Sequence, residues 1–468
     1  MARTSSLQNV SPIKYVSRSG SSRLMIESVS AEEIVKRTGS PVFAYSAEAL
    51  SQRVKRFQEA FAPLHPQICY AVKACGNVHI LRHLGAAGCW MDVVSGGELE
   101  RTFLAGIPTE RVVFAGVGKQ EHEIRAALHG RHSLVWDALD GASKKMCAQR
   151  GPVHAFNVES EQELDVIATE AARLKVVARC HLRVNPDVDA KTHKYITTGT
   201  NRNKFGVSID QAGRIFRAWR GKKWIRLCGL HTHIGSMIES PRPYVRCVQE
   251  VMKAVGHIER QGTRIESLDL GGGFGIDYSS GQSVALEEHA KALIPLLRER
   301  AEAGTRIAFE PGRWIVAEAG VLLVRVLYTK RTGRAHFAVV DAGMNALVRP
   351  ALYGAFHFIW PARVQAGQGP RSLNEPEHVR GCMPQSVVGP ICESGDFLAL
   401  ERMLPRLKRN DVLAVFHTGA YGMSMSNTYN DQPKPSEVLI RGKQIITIRT
   451  RDQVIDLMRG DLAASALM

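Results

Sequence analysis

From about residue 40 the chain alternates short apolar runs with stretches in which apolar residues recur every three or four positions. The runs fall at 67–74 (QICYAVKA), 90–95 (WMDVVS), 111–116 (RVVFAG), 154–160 (HAFNVES) and 178–186 (ARCHLRVNP). They continue at 225–236 (IRLCGLHTHIGS), 267–273 (SLDLGGG) and 306–313 (RIAFEPGR). Apolar runs without strict alternation predict strands buried on both faces, as in a parallel sheet. The amphipathic stretches between them predict helices, several with start signals. Ser95-Gly-Gly-Glu98 and Ser160-Glu-Gln-Glu163 have the spacing of capping boxes, the second opening the periodic run ELDVIATEAARL. Eight strand–helix units in succession predict a (β/α)8 barrel, with a doubly wound open sheet as the alternative. A further run at 133–138 (SLVWDA) leaves the strand count open by one.

After about residue 314 the pattern changes. Runs such as VLLVRVLYTK, HFAVVDAG, DVLAVFH and EVLIRGKQIITIRT are separated by Gly, Pro and Asn, with little helical periodicity between them. That pattern predicts an antiparallel β-domain. Residues 364–385 are polar and rich in Gly and Pro, hence a loop or hairpin excursion.

Composition narrows the class. The chain has 468 residues, 44% of them apolar and 23% charged, which excludes a largely disordered chain or a fibrous repeat. Its length supplies a sizeable core without a metal or disulfide staple. The net charge of +16 is distinctly basic, and such a charge bears on association, not fold. No zinc-finger spacing, basic-plus-heptad segment or aromatic-basic RNA signature accompanies it, so no nucleic-acid partner is expected. The nine cysteines include no C-x-x-C pair, which suits a reducing compartment and a cytoplasmic protein. The first 24 residues carry four basic residues, seven serines and no acid. Such a segment is a disordered leader, or alternatively an organellar targeting peptide. No apolar run is long enough for a membrane span.

In a barrel, chemistry gathers at the carboxyl ends of the strands. Here the first strand ends in Tyr-Ala-Val-Lys73, the sixth in His231-Thr-His233-Ile-Gly-Ser236, the seventh in Gly271-Gly272-Gly273, and the eighth in Glu310-Pro311-Gly312-Arg313. Singly, a lysine there is a solvated charge, a histidine a core residue and a glycine run a tight turn. Together they assemble an amine, an imidazole, a carboxylate and an anion cradle at one barrel mouth.

These residues resemble the alanine-racemase-type pyridoxal-phosphate enzymes, and within them the diaminopimelate decarboxylase family. The matching motifs are YAVKA, DVVSGGELER, FNVES, LRVNPDVDAKTHKYITTGTNRNKFG, GLHTHIGS, LDLGGGFG, FEPGRWIVAEAGVLL, VDAGMNALVRPALY, VVGPICESGD and TGAYGMSMSNTYN, in order from about residue 22 to 455. The resemblance implies a fold-type-III (β/α)8 barrel plus a C-terminal antiparallel β-domain that the N-terminal strand joins. The expected organisation is a disordered basic leader over 1–21, an N-terminal strand region over 22–45, the barrel over 46–314, the β-domain over 315–455 and a tail over 456–468.

The resemblance also implies roles. Lys73 matches the lysine that holds pyridoxal 5'-phosphate as an imine, and His233 the ring that stacks on the cofactor. Glu310 matches the carboxylate facing the pyridine nitrogen; in that position it favours decarboxylation over racemisation, since it keeps the ring an electron sink. Ser236, Gly273, Gly312 and Tyr421 match phosphate contacts, with Pro311 and Arg313 beside them. Arg313, Arg349, Tyr353, Glu393 and Tyr421 match the substrate's binding set, in which a guanidinium takes the distal carboxylate bidentately. Cys392 matches the proton donor, on a loop that completes the partner subunit's site, so a homodimer with shared active sites is implied. Asp92 and His231 stand near the site with supporting and structural readings equally open. No metal is expected. The implied reaction is decarboxylation of meso-2,6-diaminopimelate to L-lysine. The alternatives are a relative acting on D-lysine, D-ornithine or a carrier-bound amino acid, and a non-catalytic cofactor carrier. Cys75, Gln432 and an insertion over 133–152 depart from the usual family pattern.

Overall fold

In a computed structural model of the chain, eight parallel strands close on themselves. The model describes residues 11–18, 20–130, 141, 144, 151–188, 204–278, 285–365, 368–370 and 381–463. The strands are Gln67–Ala71, Trp90–Val93, Val112–Phe114, Ala155–Val158, Ala178–Asn185, Ile225–His231, Ser267–Asp269 and Arg306–Phe309. Each pairs with the next in chain order, and the eighth returns to the first through Ala308↔Gln67 and Phe309↔Ile68. The open-sheet alternative is thereby excluded. A two-residue strand, Val207–Ser208, pairs parallel with the carboxyl end of the fifth at Val184 and Asn185. The run at 133–138 lies outside the described residues, as does the expected insertion over 133–152 apart from residues 141, 144, 151 and 152.

The strands are shorter than the runs that predict them. The first stops at Ala71, the sixth at His231 and the seventh at Asp269. Beyond those points the residues leave the ladder to build the barrel mouth. Helix Glu161–Leu174 is capped by Ser160, whose Oγ accepts from Glu163 N at 3.2 Å. The Glu163 carboxylate does not return to Ser160 N as a capping box requires. It accepts from Glu159 N at 2.9 Å and pairs with Lys119 at 2.6 Å. Ser95 and Glu98 repeat the pattern, with Glu98 accepting from Val94 N at 2.9 Å. The carboxylate reaches one residue further back and ties the helix start to the preceding strand end. An aromatic cluster fixes the mouth beside the eighth strand. Phe61 stands 4.5 Å from Phe309 and Phe57 stands 5.7 Å from Trp314. The Arg53 guanidinium lies 3.5 Å over the Trp314 ring and donates to Trp314 O.

The chain divides into two compact units. Arg53–Asp277 with Gln282–Val316 forms the barrel unit, and Met1–Gln52, Tyr278–Gly281 and Ala317–Met468 form the other. In the second unit the long strand Gly320–Thr332 pairs antiparallel with Val42–Ser46, Ala335–Val340 and Val412–Val415. The predicted antiparallel pattern is interrupted twice. Val42–Ser46 lies parallel to Ser436–Arg441, and Ala335–Val340 parallel to Cys382–Val388. Neither pair is joined by a hairpin, so no tight turn imposes the antiparallel sense.

The disordered leader expected over 1–21 is corrected only where described residues contradict it; residues 1–10 and 19 lie outside the described residues. Ile13–Arg18 is a strand paired antiparallel with Ser21–Ile26, and Gly20 takes φ +80° at the reversal. Tyr15 donates to Pro361 O at 2.8 Å and Ser17 bonds Ser22 at 2.7 Å, which anchors the hairpin. Among the described residues no helix is long and apolar enough to cross a membrane.

Candidate active site

The first strand ends in a single 3-10 turn, Val72–Ala74, which carries Lys73. Its Nζ lies 2.9 Å from Oδ2 of Asp92, one strand over. Asp92 is fully buried while the Lys73 side chain is 36% exposed, so the carboxylate holds the amine from inside the barrel. Past the sixth strand, His233 Nδ1 accepts from Gly272 N at 3.1 Å. Tyr244 donates to Gly272 O at 2.7 Å, and Ile238 N to Gly273 O at 2.9 Å. A Cβ on Gly273, where φ is +107°, would run into Gly235 O, and one on Gly272 into Glu310 O. The ends of strands six, seven and eight therefore approach more closely than any side chain permits. At the eighth strand's end a Cβ on Gly312 would stand 3.0 Å from that of Ala71. Pro311 O accepts from Ala71 N at 3.4 Å. Arg313, buried at the start of a short helix, donates to Ser236 Oγ at 3.3 Å.

Glu310 is 4% exposed and held on both oxygens. Its Oε2 lies 3.3 Å from His231 Nε2, and its Oε1 accepts from Asn157 Nδ2 at 3.2 Å. Burial alone would push its carboxyl up, but the neighbouring His231 overrides that and holds it well below the usual carboxylate range. Reciprocally, Glu310 raises His231 against the downward pull of burial. Each group thus favours the charged form of the other, the carboxylate most strongly. Burial, then the Glu310 charge, push both Asp92 and Asp269 up, Lys73 opposing this at Asp92. Asp269 accepts from Gly271 N at 3.0 Å, and its carboxylate stands within 4.8 Å of the His231 and Glu310 ligand atoms. Burial, then Lys73, push His233 down to about 3. Its ring is neutral at pH 7, and with Nδ1 accepting, the proton sits on Nε2.

The barrel unit thus brings together Lys73, His233, Ser236, Gly273, Glu310, Pro311, Gly312 and Arg313. Arg349, Tyr353, Cys392, Glu393 and Tyr421 belong to the other unit. There Asp396, buried, accepts from Met344 N at 2.6 Å and Ile391 N at 2.7 Å. This pins both ends of the loop 391–396 and leaves Cys392 and Glu393 exposed on it. Cys392 N donates to Asn430 Oδ1 at 2.8 Å, and Glu393 accepts from Tyr429 at 3.4 Å. Arg349 is buried at the start of helix Arg349–Tyr353, with Nη1 2.8 Å from His357 Nε2 and the guanidinium 4.5 Å over the Tyr278 ring. Tyr421 is half-buried with φ +57°.

Two supporting residues had no role assigned from the sequence, Asn157 and Asp269. Each is a polar residue inside an apolar buried run, FNVES and SLDLGGG, and that anomaly is the signal that marks them. Asp92 and His231, left open between two readings, contact the lysine and the carboxylate directly.

The donor set fits pyridoxal phosphate. It offers a lysine amine, a carboxylate held ionised in the interior, a neutral imidazole face, and a glycine-lined cradle that any Cβ would fill. A parallel eight-stranded barrel with that set at its mouth defines a pyridoxal-phosphate enzyme of the barrel class. The chain belongs to the pyridoxal-dependent decarboxylases: residues 47–317 match the family model described as the pyridoxal-dependent decarboxylase, pyridoxal binding domain. It is 39% identical to the diaminopimelate decarboxylase of Aquifex aeolicus, over 92% of this chain and 93% of that one. It is 38% identical to that of Neisseria meningitidis, over 94% and 99%. Among solved structures, the diaminopimelate decarboxylase of M. jannaschii in complex with L-lysine superposes with TM-score 0.83 at 32% identity, covering 97% of this chain and 99% of that one. The Helicobacter pylori enzyme complexed with L-lysine gives TM-score 0.79 at 34% identity, covering 92% and 99%.

Proposed function

We propose that the protein decarboxylates meso-2,6-diaminopimelate to L-lysine and carbon dioxide, with pyridoxal phosphate as cofactor, as the last step of lysine biosynthesis. Its relatives of near-equal length carry this activity in their names. The observation in the site that carries the reading is Glu310, ionised in a buried setting by His231 and Asn157.

Pyridoxal phosphate, when bound, supplies an electron sink for the pair left behind as carbon dioxide departs. The residues of this chain do the rest. Lys73 anchors the cofactor, and the Asp92 carboxylate orients its amine. His233 offers a flat neutral face, and Ser236, Gly273, Gly312 and Tyr421 hold the phosphate. Glu310 would keep a proton on the cofactor's pyridine nitrogen, a task that calls for a negative charge. L-Lysine retains the substrate's L-configured centre, so the carboxyl lost is that of the D-configured centre. Arg313, Arg349, Tyr353, Glu393 and Tyr421 grip the L-configured end. Cys392 delivers the proton that replaces the lost carboxyl, within a homodimer whose protomers share their sites. The cysteines among the described residues are unbridged, which suits a reducing cytoplasm.

The test is carbon dioxide release by purified holoenzyme from meso-diaminopimelate beside D-lysine and L-lysine. Turnover of meso-diaminopimelate at least roughly 100-fold above either lysine is expected, a difference of about 2.8 kcal/mol. Preference for D-lysine would sink the assignment.

A further inference from the structure

We infer that His357 is a positioning residue that sets specificity, a neutral imidazole that aims Arg349 at the carboxylate on the far end of the substrate. The inference rests on the proposed role of Arg349 as the distal-carboxylate ligand. It begins with the local chain. Helix Arg349–Tyr353 ends at Gly354 in the left-handed conformation, φ +60°, and Ala355 N returns to Arg349 O at 3.3 Å. The reversal brings His357 back under the start of the helix, where it is 0% exposed.

Its two ring nitrogens are both engaged. Nδ1 lies 2.8 Å from Phe416 O, and Nε2 lies 2.8 Å from Arg349 Nη1. A carbonyl oxygen only accepts, so Nδ1 carries the hydrogen. A guanidinium only donates, so Nε2 is bare. The tautomer is thus fixed from both sides, and the ring is neutral while both bonds stand. The Tyr278 ring packs edge-on to His357 at 5.1 Å and lies 4.5 Å under the guanidinium. An acceptor in the guanidinium plane and a ring on its face set both its direction and its tilt.

The chemical consequence lies in the charge. A carboxylate in place of His357 would orient Arg349 equally well but would neutralise it. A neutral acceptor fixes the fork without itself cancelling the guanidinium's charge. Such an arrangement favours a substrate with a carboxylate at its far end over one with an amine alone.

L-Lysine reads this subsite without turnover, because it keeps the distal carboxylate. 1,5-Diaminopentane lacks it. Binding of both to holoenzyme, by calorimetry, should show His357→Leu weakening L-lysine by roughly tenfold or more, about 1.4 kcal/mol, with 1,5-diaminopentane unchanged. For meso-diaminopimelate the same variant should raise KM far more than it lowers kcat. His357→Gln can still present an acceptor to Arg349 and should restore most of the difference. Should His357→Leu fail to fold, His357→Asn carries the comparison, since it keeps a donor toward Phe416 O but stops short of Arg349. Equal losses for both ligands, a fall in kcat alone, or no recovery with glutamine would overturn the inference. Arg349→Leu separates the two levels. If it discriminates between the ligands and His357→Leu does not, the role of His357 falls alone. If it fails to discriminate, the reading of Arg349 falls and this inference with it.

Discussion

Asp92, Asp269 and Glu310 are buried together at one barrel mouth, and their neighbours assign them different charges. Glu310 is the one held ionised, because His231 and Asn157 both stabilise its anion. Glu310→Gln keeps the shape and the Asn157 contact but removes the charge. Turnover should fall by roughly 100-fold or more, about 2.8 kcal/mol of transition-state stabilisation. The visible absorbance of the bound cofactor should persist, so near-native turnover would refute the role. His231→Asn should move the acid limb of the kcat/KM profile. The folded value of Glu310 is depressed, so its anion survives until pH falls through that low value. Without the His231 interaction, burial dominates and the carboxyl takes up its proton at higher pH. The acid limb should therefore shift upward, and an unmoved limb would show that His231 does not hold the charge. Residue types marked most of this site in advance, because a lysine, a glutamate and glycines at strand ends are costly as packing. Asn157 and Asp269 were not assigned. Their function lies in a cross-strand contact to Glu310 and a turn around Gly271 that the sequence does not display.

At the scale of elements, the barrel strands were legible because burial on both faces writes continuous apolar runs. Their ends were not, since the residues that first leave the ladder, Val72, Thr232 and Leu270, are as apolar or as small as those within it. The two parallel pairings of the β unit were equally hidden, because they join segments such as Val42–Ser46 and Ser436–Arg441 that lie far apart in the chain. The loop 391–396 shows what an element needs in order to present chemistry. Its exposed Cys392 and Glu393 depend on the Asp396 carboxylate, which accepts two backbone N–H bonds. Asp396→Asn replaces one acceptor with a donor aimed at an N–H. It should cost about 1–3 kcal/mol, seen in denaturant unfolding, and lower turnover more than cofactor content. Unchanged stability would mean that the loop is held by other contacts. A similar argument applies to Gly273→Ala, whose Cβ would meet Gly235 O. This variant should lose cofactor on gel filtration while the apo chain remains folded by circular dichroism.

At the scale of the whole molecule, the chain leaves one unit to build the barrel and then returns. Val42–Ser46 is laid down before the barrel, yet it pairs with Gly320–Thr332 and Ser436–Arg441 after it. Lys73 and Cys392 therefore belong to different units of the same chain, and the proposed dimer makes a quantitative demand on them. If Cys392 of one protomer serves Lys73 of the other, Lys73→Ala and Cys392→Ala protomers are each inactive alone but complement when mixed. In a closed two-fold dimer every site takes one lysine and one cysteine, from opposite chains. A mixed dimer then has one site carrying both lesions and one carrying neither. Random re-pairing makes about half the dimers mixed, so roughly a quarter of native activity should return. The measurement is carbon dioxide release after co-refolding, with differently tagged protomers to count the mixed species. Recovery near a quarter, scaling with the mixed fraction, supports a shared site. If mixed dimers form and stay inactive, each protomer supplies its own proton donor, because both lesions then inactivate every site they touch.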